Sequence, residues 1–226
     1  MTVTTVTHPA KFSDPIIVEL TKLLVDLPGP ILDPFAGTGR VHELGRTDTV
    51  GVEIESEWAD MHPRTIVGNA LELDFPDNSI GTIVTSPTYG NRMADTYDGR
   101  DGSKRYTYRT ALGHNLNADN SGAMQWGTEY RDFHKRAWSE AFRVLAPSGY
   151  LILNISDHVR KGQLVAVSSW HANIILELGF EGVPDGWTTV TTKRNRNGAN
   201  RDLRVDFESI IRFRKPKAVK VVEEAA

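Results

Sequence analysis

Short apolar segments alternate with longer amphipathic segments along most of this chain. Such alternation is typical of a parallel sheet with crossover helices on its faces, because each crossover helix connects two buried strands. We therefore predict an α/β fold with a doubly wound, Rossmann-like sheet of seven strands. The predicted strands are 30–35, 49–54, 64–67, 79–85, 150–155, 187–192 and 207–213, and the predicted helices include 131–145 and 164–178.

The length of 226 residues fits one domain, so we expect 1–226 to form a single domain. One connection, residues 90–130, is unusually long and is rich in Asn, Asp, Gly, Arg and Tyr. Structureless connections of that length are uncommon in compact domains and tend to be lids or binding loops. We expect this insertion to handle the target molecule.

The composition excludes several kinds of chemistry. The chain has no cysteine, which rules out disulfides, thiolate-bound zinc, iron–sulfur clusters and a cysteine nucleophile, and no metal site is expected. No apolar run approaches the roughly 20 residues of a membrane span, and the N-terminus lacks the basic start and apolar core of a signal peptide. The simplest expectation is a cytoplasmic protein without a membrane partner.

The charge distribution says more than the net charge of −3. Basic residues outnumber acidic ones in 92–109, 193–204 and 212–220, and each of these stretches contains five lysines and arginines. Any one cluster could be a solvated face. Three such clusters after residue 90 predict a partly basic surface that suits nucleic acid.

A glycine-rich turn follows the first predicted strand. Residues 33–39 read DPFAGTG and are expected to open a helix, and glycines there let the backbone turn sharply near a ligand. Glu53 ends the second strand, where an acid can accept hydrogen bonds from ribose hydroxyls. This order predicts an adenosine-type cofactor. NAD is less consistent, because His42 replaces the third glycine of its fingerprint; the remaining alternative is a plain tight turn.

Residues 85–89 read TSPTY and directly follow the fourth strand. With DPFAGTG they resemble the motifs of S-adenosylmethionine-dependent DNA amino-methyltransferases, the N-4/N-6 type, in the γ-like order. The segments HPAKF at 8–12, GNA at 68–70 and LAPSG at 145–149 resemble further parts of that family. The resemblance implies a methyltransferase sheet, S-adenosyl-L-methionine as cofactor, double-stranded DNA as partner, and the setting of restriction–modification.

The resemblance also implies roles for the catalytic residues Ser86, Pro87 and Tyr89. The Ser86 hydroxyl and the Pro87 carbonyl would accept hydrogen bonds from a base amine whose lone pair is otherwise delocalised. Tyr89 would stack on the flipped base, and Tyr89→Phe keeps that stacking face and is expected to be a mild change. Thr88 replaces the family's second proline and removes its φ restriction, which leaves the effect on activity open.

Two further sets of residues are implied. Asn69 stands where the family more often has an aspartate. The residues expected to bind the cofactor are Lys11, Phe12, Asp33, Phe35, Gly37, Gly39, Glu53, Asn69, Ala70 and Ser86. The residues of the insertion expected to contact DNA are Arg92, Arg100, Lys104, Arg105 and Arg109.

The reaction predicted is methylation of an exocyclic amine of a DNA base. The serine form of the motif favours cytosine-N4 over adenine-N6, and methylation of cytosine carbon five is excluded because it needs a cysteine. The alternatives are the same fold acting on RNA, a protein or a small molecule, and a cofactor-binding relative with little activity. His158 is predicted to be a satisfied strand-end residue. The recognition sequence, a homodimer and a restriction partner are left open.

Overall fold

The computed structural model describes residues 8–9, 11–94, 107–192 and 201–217, except for the side chains of Arg92 and Arg201. Its helices are α1 (Asp14–Leu23), α2 (Ser56–Ala59), α3 (Tyr108–Leu112), α4 (Thr128–Val144) and α5 (Val167–Glu177). Its strands are β1 (Ile31–Asp33), β2 (Thr49–Glu53), β3 (Thr65–Val67), β4 (Ile80–Thr85), β5 (Leu145–Ile155), β6 (His158–Arg160), β7 (Gln163–Val165), β8 (Glu181–Thr191) and β9 (Phe207–Arg214). Short 3-10 turns span Arg40–Glu43, Arg92–Ala94, Ser121–Ala123 and Arg201–Leu203.

Seven of these strands form one sheet in the order β3-β2-β1-β4-β5-β9-β8. The strands β1 to β5 pair in parallel, as predicted, whereas β9 is antiparallel to both β5 and β8. The antiparallel β9 departs from the parallel pattern that the alternation of strands and helices indicates. A consequence for function is that β9 begins at the edge of the sheet where the parallel strands end.

The sheet is covered by helices on both faces, so the doubly wound α/β architecture is confirmed. Successive residues of the central strands point to opposite faces. On one face, the core combines β4 and β5 with α4 and α5 through residues such as Ile83, Leu151, Trp138 and Ile175. On the other face, Val84 and Ile152 pack against Ile16 and Leu20 of α1. Each fully buried aliphatic side chain contributes about 1.5–3 kcal/mol of transfer free energy.

Some predicted boundaries were wrong where local turns intervene. The predicted strand begins at residue 150, yet β5 begins at Leu145, and the backbone of Ser148 and Gly149 makes hydrogen bonds to Lys215. Leu164 was predicted to start a helix, but it lies in the β6–β7 hairpin. Lys161 and Gly162 both have positive φ, which is the conformation of a two-residue hairpin turn.

The insertion is more structured than the sequence suggested. Within 107–130 the chain forms α3, a 3-10 turn and the start of α4, and Tyr108, Met124 and Tyr130 are buried. The Trp126 N–H donates to the Gly90 carbonyl at 2.8 Å, which ties the two ends of the insertion together. Residues 95–106 lie outside the described part. Residues 107–130 are therefore not a structureless connection, because Met124, Trp126 and Tyr130 pack into a hydrophobic cluster.

None of the helices in the described ranges is long and apolar enough to cross a membrane.

Candidate active site

The parallel strands β1, β2 and β4 end at one cleft of about 1950 Å³. Ligands of open α/β sheets bind at this edge, outside the carboxyl ends of the strands. The cleft is lined by Asp33 at the end of β1, by Glu53 at the end of β2 and by Ser86, which directly follows β4. The predicted residues that line the cleft are Lys11, Phe12, Asp33, Phe35, Gly37, Glu53, Asn69, Ala70, Ser86, Pro87 and Tyr89; Gly39 is not among its lining residues.

The turn after β1 requires glycine at two positions. Gly37 has φ +53° and Gly39 has φ +83°, and both values lie in the left-handed region. A Cβ on Gly37 would lie 3.2 Å from the His8 ring, and one on Gly39 would lie 2.8 Å from the His62 Cβ. The expected α-helix after this turn is absent: a four-residue 3-10 turn follows, and Gly45, with φ +71°, comes after it.

Two buried carboxyl groups hold the turn. Asp33 Oδ1 accepts hydrogen bonds from the Thr85 hydroxyl at 2.7 Å and from the Phe35 N–H at 3.0 Å. Glu53 Oε2 accepts from the Gly37 N–H at 2.8 Å, and its Oε1 accepts from the Glu55 N–H at 3.0 Å. Burial raises the pKa of Asp33 and of Glu53 to about 7 against these hydrogen bonds. Both groups therefore change protonation near neutral pH.

The insertion closes one side of the cleft. Glu55 Oε1 accepts hydrogen bonds from the Asn117 N–H and the Asn120 amide, both at 2.7 Å. The Asn69 amide nitrogen donates to Asp119 at 3.0 Å, so a carboxylate stands beside the asparagine. Sequence reasoning missed these contacts. Glu55, an acid two residues after Glu53, could have been noticed in the sequence. Nothing in the sequence indicated its partners, Asn117 and Asn120.

The residues of the SPTY segment lie together in the cleft. Ser86 Oγ and the Tyr89 hydroxyl are 2.9 Å apart. Behind them stand Asn154 at the end of β5 and Glu208 at the start of β9, which sequence reasoning also missed. Asn154 is 1% exposed and Glu208 is 8% exposed, so the catalytic motif faces a buried polar cluster.

Thr88 is held from two directions. Its hydroxyl donates to Ser121 Oγ at 2.9 Å, and its carbonyl accepts from the Tyr130 hydroxyl at 2.6 Å. The Trp138 indole N–H donates to His171 Nδ1, so the other ring nitrogen carries the proton and donates to the Tyr130 oxygen at 2.8 Å. Burial lowers the pKa of His171 well below its usual value and keeps the ring neutral.

This hydrogen-bond chain runs from α4 and α5 to the backbone of the motif. It constrains Thr88 at the position where the resembled family has a φ-restricting proline. Tyr130 and Trp138 are both fully buried, so they anchor this chain of hydrogen bonds in the core.

His158 differs from its prediction. It lines the cleft, and both of its ring nitrogens are buried without a hydrogen-bond partner among the described residues, so it is not a satisfied strand-end histidine. Burial lowers its pKa to about 4, which leaves the ring neutral with one donor and one acceptor. The sequence did not predict that His158 lies on the three-residue strand β6, because the β6–β7 hairpin itself was not predicted.

The predicted DNA contacts are only partly described. Arg109 is exposed on α3, and Arg92 lies in a 3-10 turn with its side chain outside the described part. Arg100, Lys104 and Arg105 lie outside the described residues. The structure adds basic residues that line the cleft and were not singled out from the sequence: Arg40, Arg160, Lys161 and Arg204.

The chain matches one family model and is similar to several solved structures. A family model described as DNA methylase, of the N6/N4 type, matches residues 80–225, which is more than half of the chain. No curated protein matches it. A SAM-dependent methyltransferase from Methanosarcina mazei is similar over 87% of this chain and 96% of its own length, at 15% identity and a TM-score of 0.53.

Two other solved structures are similar to this chain. The [4+2]-cyclase SpnF is similar over 88% of this chain and 82% of its own length, at 15% identity and a TM-score of 0.52. A provisionally assigned DNA modification methylase from Thermus thermophilus, solved with S-adenosyl-L-methionine, is 23% identical over 68% of this chain, at a TM-score of 0.43. This chain spans 56% of that protein.

These likenesses establish the fold and not the reaction. The seven-stranded sheet with flanking helices is the Rossmann-like methyltransferase fold, which confirms the predicted fold class. A cyclase shares this fold, so the reaction has to be argued from the site.

Proposed function

This chain belongs to the DNA methylase family, and we propose that it transfers a methyl group from S-adenosyl-L-methionine to an exocyclic amine of a DNA base. Cytosine-N4 is the favoured target over adenine-N6, because the motif carries Ser86 and not an aspartate. The observation that carries the proposal is one cleft that holds both the Asp33–Gly37–Glu53 turn and the Ser86–Tyr89 hydroxyl pair.

The cleft suits an adenosine cofactor with an amino-acid tail. Glu53 retains acceptor capacity beyond its two backbone hydrogen bonds, which fits ribose hydroxyls. Ser13 Oγ and Trp58 Nε1 line the cleft and are buried without a hydrogen-bond partner among the described residues, so polar groups remain for a ligand. The bound cofactor supplies an electrophilic sulfonium methyl. The residues proposed to hold it are those predicted from the sequence except Ser86, which is assigned to the target amine, and Gly39 shapes the turn.

The protein's own contribution is to activate the amine. The Ser86 hydroxyl and the Pro87 carbonyl accept the two amine hydrogens, which favours a tetrahedral nitrogen with its lone pair available. The Tyr89 ring lies in the same cleft and would stack on the flipped base, a contact worth about 1–3 kcal/mol. Preorganised groups of this kind lower the barrier because they need no rearrangement during the reaction.

The partner in this proposal is double-stranded DNA. Arg109, with Arg92, Arg100, Lys104 and Arg105, is proposed to contact phosphates, and the insertion to contact the target. Arg160, Lys161 and Arg204 add positive charge within the cleft itself. Each phosphate contact releases counterions, so DNA affinity should fall steeply with salt.

The function is tested by a methyl-transfer assay on unmethylated DNA, RNA and protein side by side. We expect label to enter DNA alone, and sequencing that detects modified bases should place it on cytosine-N4. DNA affinity should fall by orders of magnitude between low and physiological salt. Transfer to RNA or protein but not DNA, or a methyl group on a ring carbon, would contradict the proposal.

Cofactor affinity should depend on pH through Glu53. Ribose hydroxyls donate more strongly to the carboxylate than to the neutral acid, so binding favours the charged form. Because the pKa of Glu53 is raised to about 7, the protonated form dominates below that pH and must lose its proton on binding. Affinity should therefore weaken by up to about tenfold per pH unit below 7 and level off above it.

Calorimetry at pH 6, 7 and 8 measures this dependence. Glu53→Gln should bind weakly and show a flatter profile, and the difference between the two proteins isolates Glu53 from Asp33, which titrates in both. The same slope in both proteins would argue against a ribose contact at Glu53.

A further inference from the structure

Glu208 is a carboxylate at the start of β9 that lines the same cleft as the catalytic motif. Because β9 is antiparallel to β5, its first residues lie where β4 and β5 end. This places Glu208 beside Tyr89 across a separation of 119 residues. At 8% exposure a carboxylate is costly to bury without hydrogen bonds, so its partners indicate what holds it there.

Two hydrogen-bond partners of Glu208 are Tyr89 of the catalytic motif and Asn154 of β5. Its Oε2 accepts from the Tyr89 hydroxyl at 3.1 Å and from the Asn154 amide nitrogen at 2.6 Å. The same amide nitrogen lies 3.3 Å from Ser86 Oγ and 3.4 Å from the Tyr89 hydroxyl oxygen. Ser86 Oγ and the Tyr89 hydroxyl are themselves 2.9 Å apart. The four side chains form one connected network.

Among the described residues, and with Glu208 ionised, the hydrogen bonds of this network run in one consistent direction. A carboxylate only accepts, so the single hydroxyl hydrogen of Tyr89 goes to Glu208. The hydrogen between Ser86 and Tyr89 must then come from Ser86. Asn154 Nδ2 has two hydrogens, which serve Glu208 and the two hydroxyl oxygens. The hydrogen of Ser86 is thus directed toward Tyr89, and a lone pair of Ser86 remains for another donor.

We propose that Glu208, acting through Tyr89, is the positioning residue that makes Ser86 a hydrogen-bond acceptor for the target amine and receives the proton which that amine releases. The inference rests on the proposed function. Without an acceptor at the end of the chain, the Tyr89 and Ser86 hydroxyls could reverse, and Ser86 would then offer the amine a hydrogen that it cannot use.

The proton transfer balances along the same path. As the nitrogen–carbon bond forms, the carbon–sulfur bond breaks and its electron pair stays on sulfur. The amine nitrogen then carries one proton too many. That proton passes to Ser86 Oγ, the Ser86 hydrogen passes to the Tyr89 oxygen, and the Tyr89 hydrogen passes to Glu208 Oε2. The methylated base leaves with a neutral amino group. Glu208 is then a neutral carboxylic acid, which releases its proton to solvent after the turnover.

The test is a double-mutant cycle with Tyr89→Phe and Glu208→Gln at saturating cofactor and DNA. Tyr89→Phe keeps the stacking ring and removes the link, so it is not the mild change that stacking alone predicts. We expect each single variant to lower the single-turnover rate about 100-fold, with KM for DNA nearly unchanged. The double variant should be no slower than either single variant, because both changes interrupt one chain.

Two further measurements keep the test decisive. Calorimetry should show wild-type affinity for S-adenosyl-L-methionine in both variants, which excludes misfolding, and Glu181→Gln on exposed β8 is the matched control with unchanged rate. A Tyr89→Phe protein with the wild-type rate, or losses that multiply in the double variant, would overturn the role of Glu208. If the wild-type protein fails to methylate DNA, the proposed function is what fails.

Discussion

Replacing Ser86 by alanine should lower the single-turnover rate of methyl transfer about 100- to 1000-fold, because one of the two acceptors for the amine hydrogens is lost. The change also removes the hydrogen that Ser86 shares with Tyr89 at 2.9 Å, so the Tyr89 hydroxyl is less well fixed. Cofactor affinity should stay within about twofold of the wild-type value. Asp33 and Glu53 hold the glycine turn by hydrogen bonds in which Ser86 takes no part.

The measurement compares single-turnover rate and calorimetric cofactor affinity for the same protein preparations. Ser139→Ala is the matched control, because Ser139 is an exposed serine on α4 whose hydroxyl donates within its own helix, to the Lys135 carbonyl. The control should methylate at the wild-type rate. If Ser86→Ala does so as well, the SPTY segment is an ordinary turn and amine methylation at this site is refuted.

Replacing Gly37 by valine should abolish measurable cofactor binding while the chain still folds. Gly37 has φ +53°, where a branched side chain is strained by about 1–2 kcal/mol. An added Cβ would already lie 3.2 Å from the His8 ring, and valine adds two more carbons at the mouth of the turn. We expect affinity for S-adenosyl-L-methionine to fall at least 100-fold, and methylation to fall with it at ordinary cofactor concentrations.

Gly179→Val provides the control for backbone strain. Gly179 follows α5 with φ +99°, and the nearest atom to an added Cβ is 3.8 Å away on Phe142, remote from the cleft. Thermal unfolding should show that both variants lose stability by comparable amounts. Cofactor affinity should be lost only in Gly37→Val. Equal affinity in the two variants would remove the glycine turn from the cofactor site.

The sequence alone predicted the features that depend on local pattern. Strand segments such as 79–85 and 207–213 are short and rich in β-branched or aromatic residues, and the helix ending near Val144 has apolar residues at helical spacing. The order of DPFAGTG, Glu53 and TSPTY placed three polar groups at strand ends. Strand β1 pairs in parallel with both β2 and β4, so the ends of these three strands meet at one edge of the sheet.

Short-range geometry was less readable, because small differences in backbone conformation decide it. The 3-10 turn after Gly39 was predicted as a helix, and the positive φ of Lys161 turned a predicted helix start into a hairpin. Periodicity does not report the conformation of a single residue. Neither error changed where the strands end, so the predicted residues Asp33, Glu53 and Ser86 still meet in one cleft.

Only the tertiary structure decided which distant groups support the site. Tyr130 reaches the Thr88 carbonyl across 42 residues, and Glu208 reaches Tyr89 across 119. These partners depend on the antiparallel insertion of β9 between β5 and β8 and on the packing of α4 against α5. Buried polar atoms must find hydrogen-bond partners wherever the fold brings them, and sequence spacing carries no information about partners that meet only after the chain has folded.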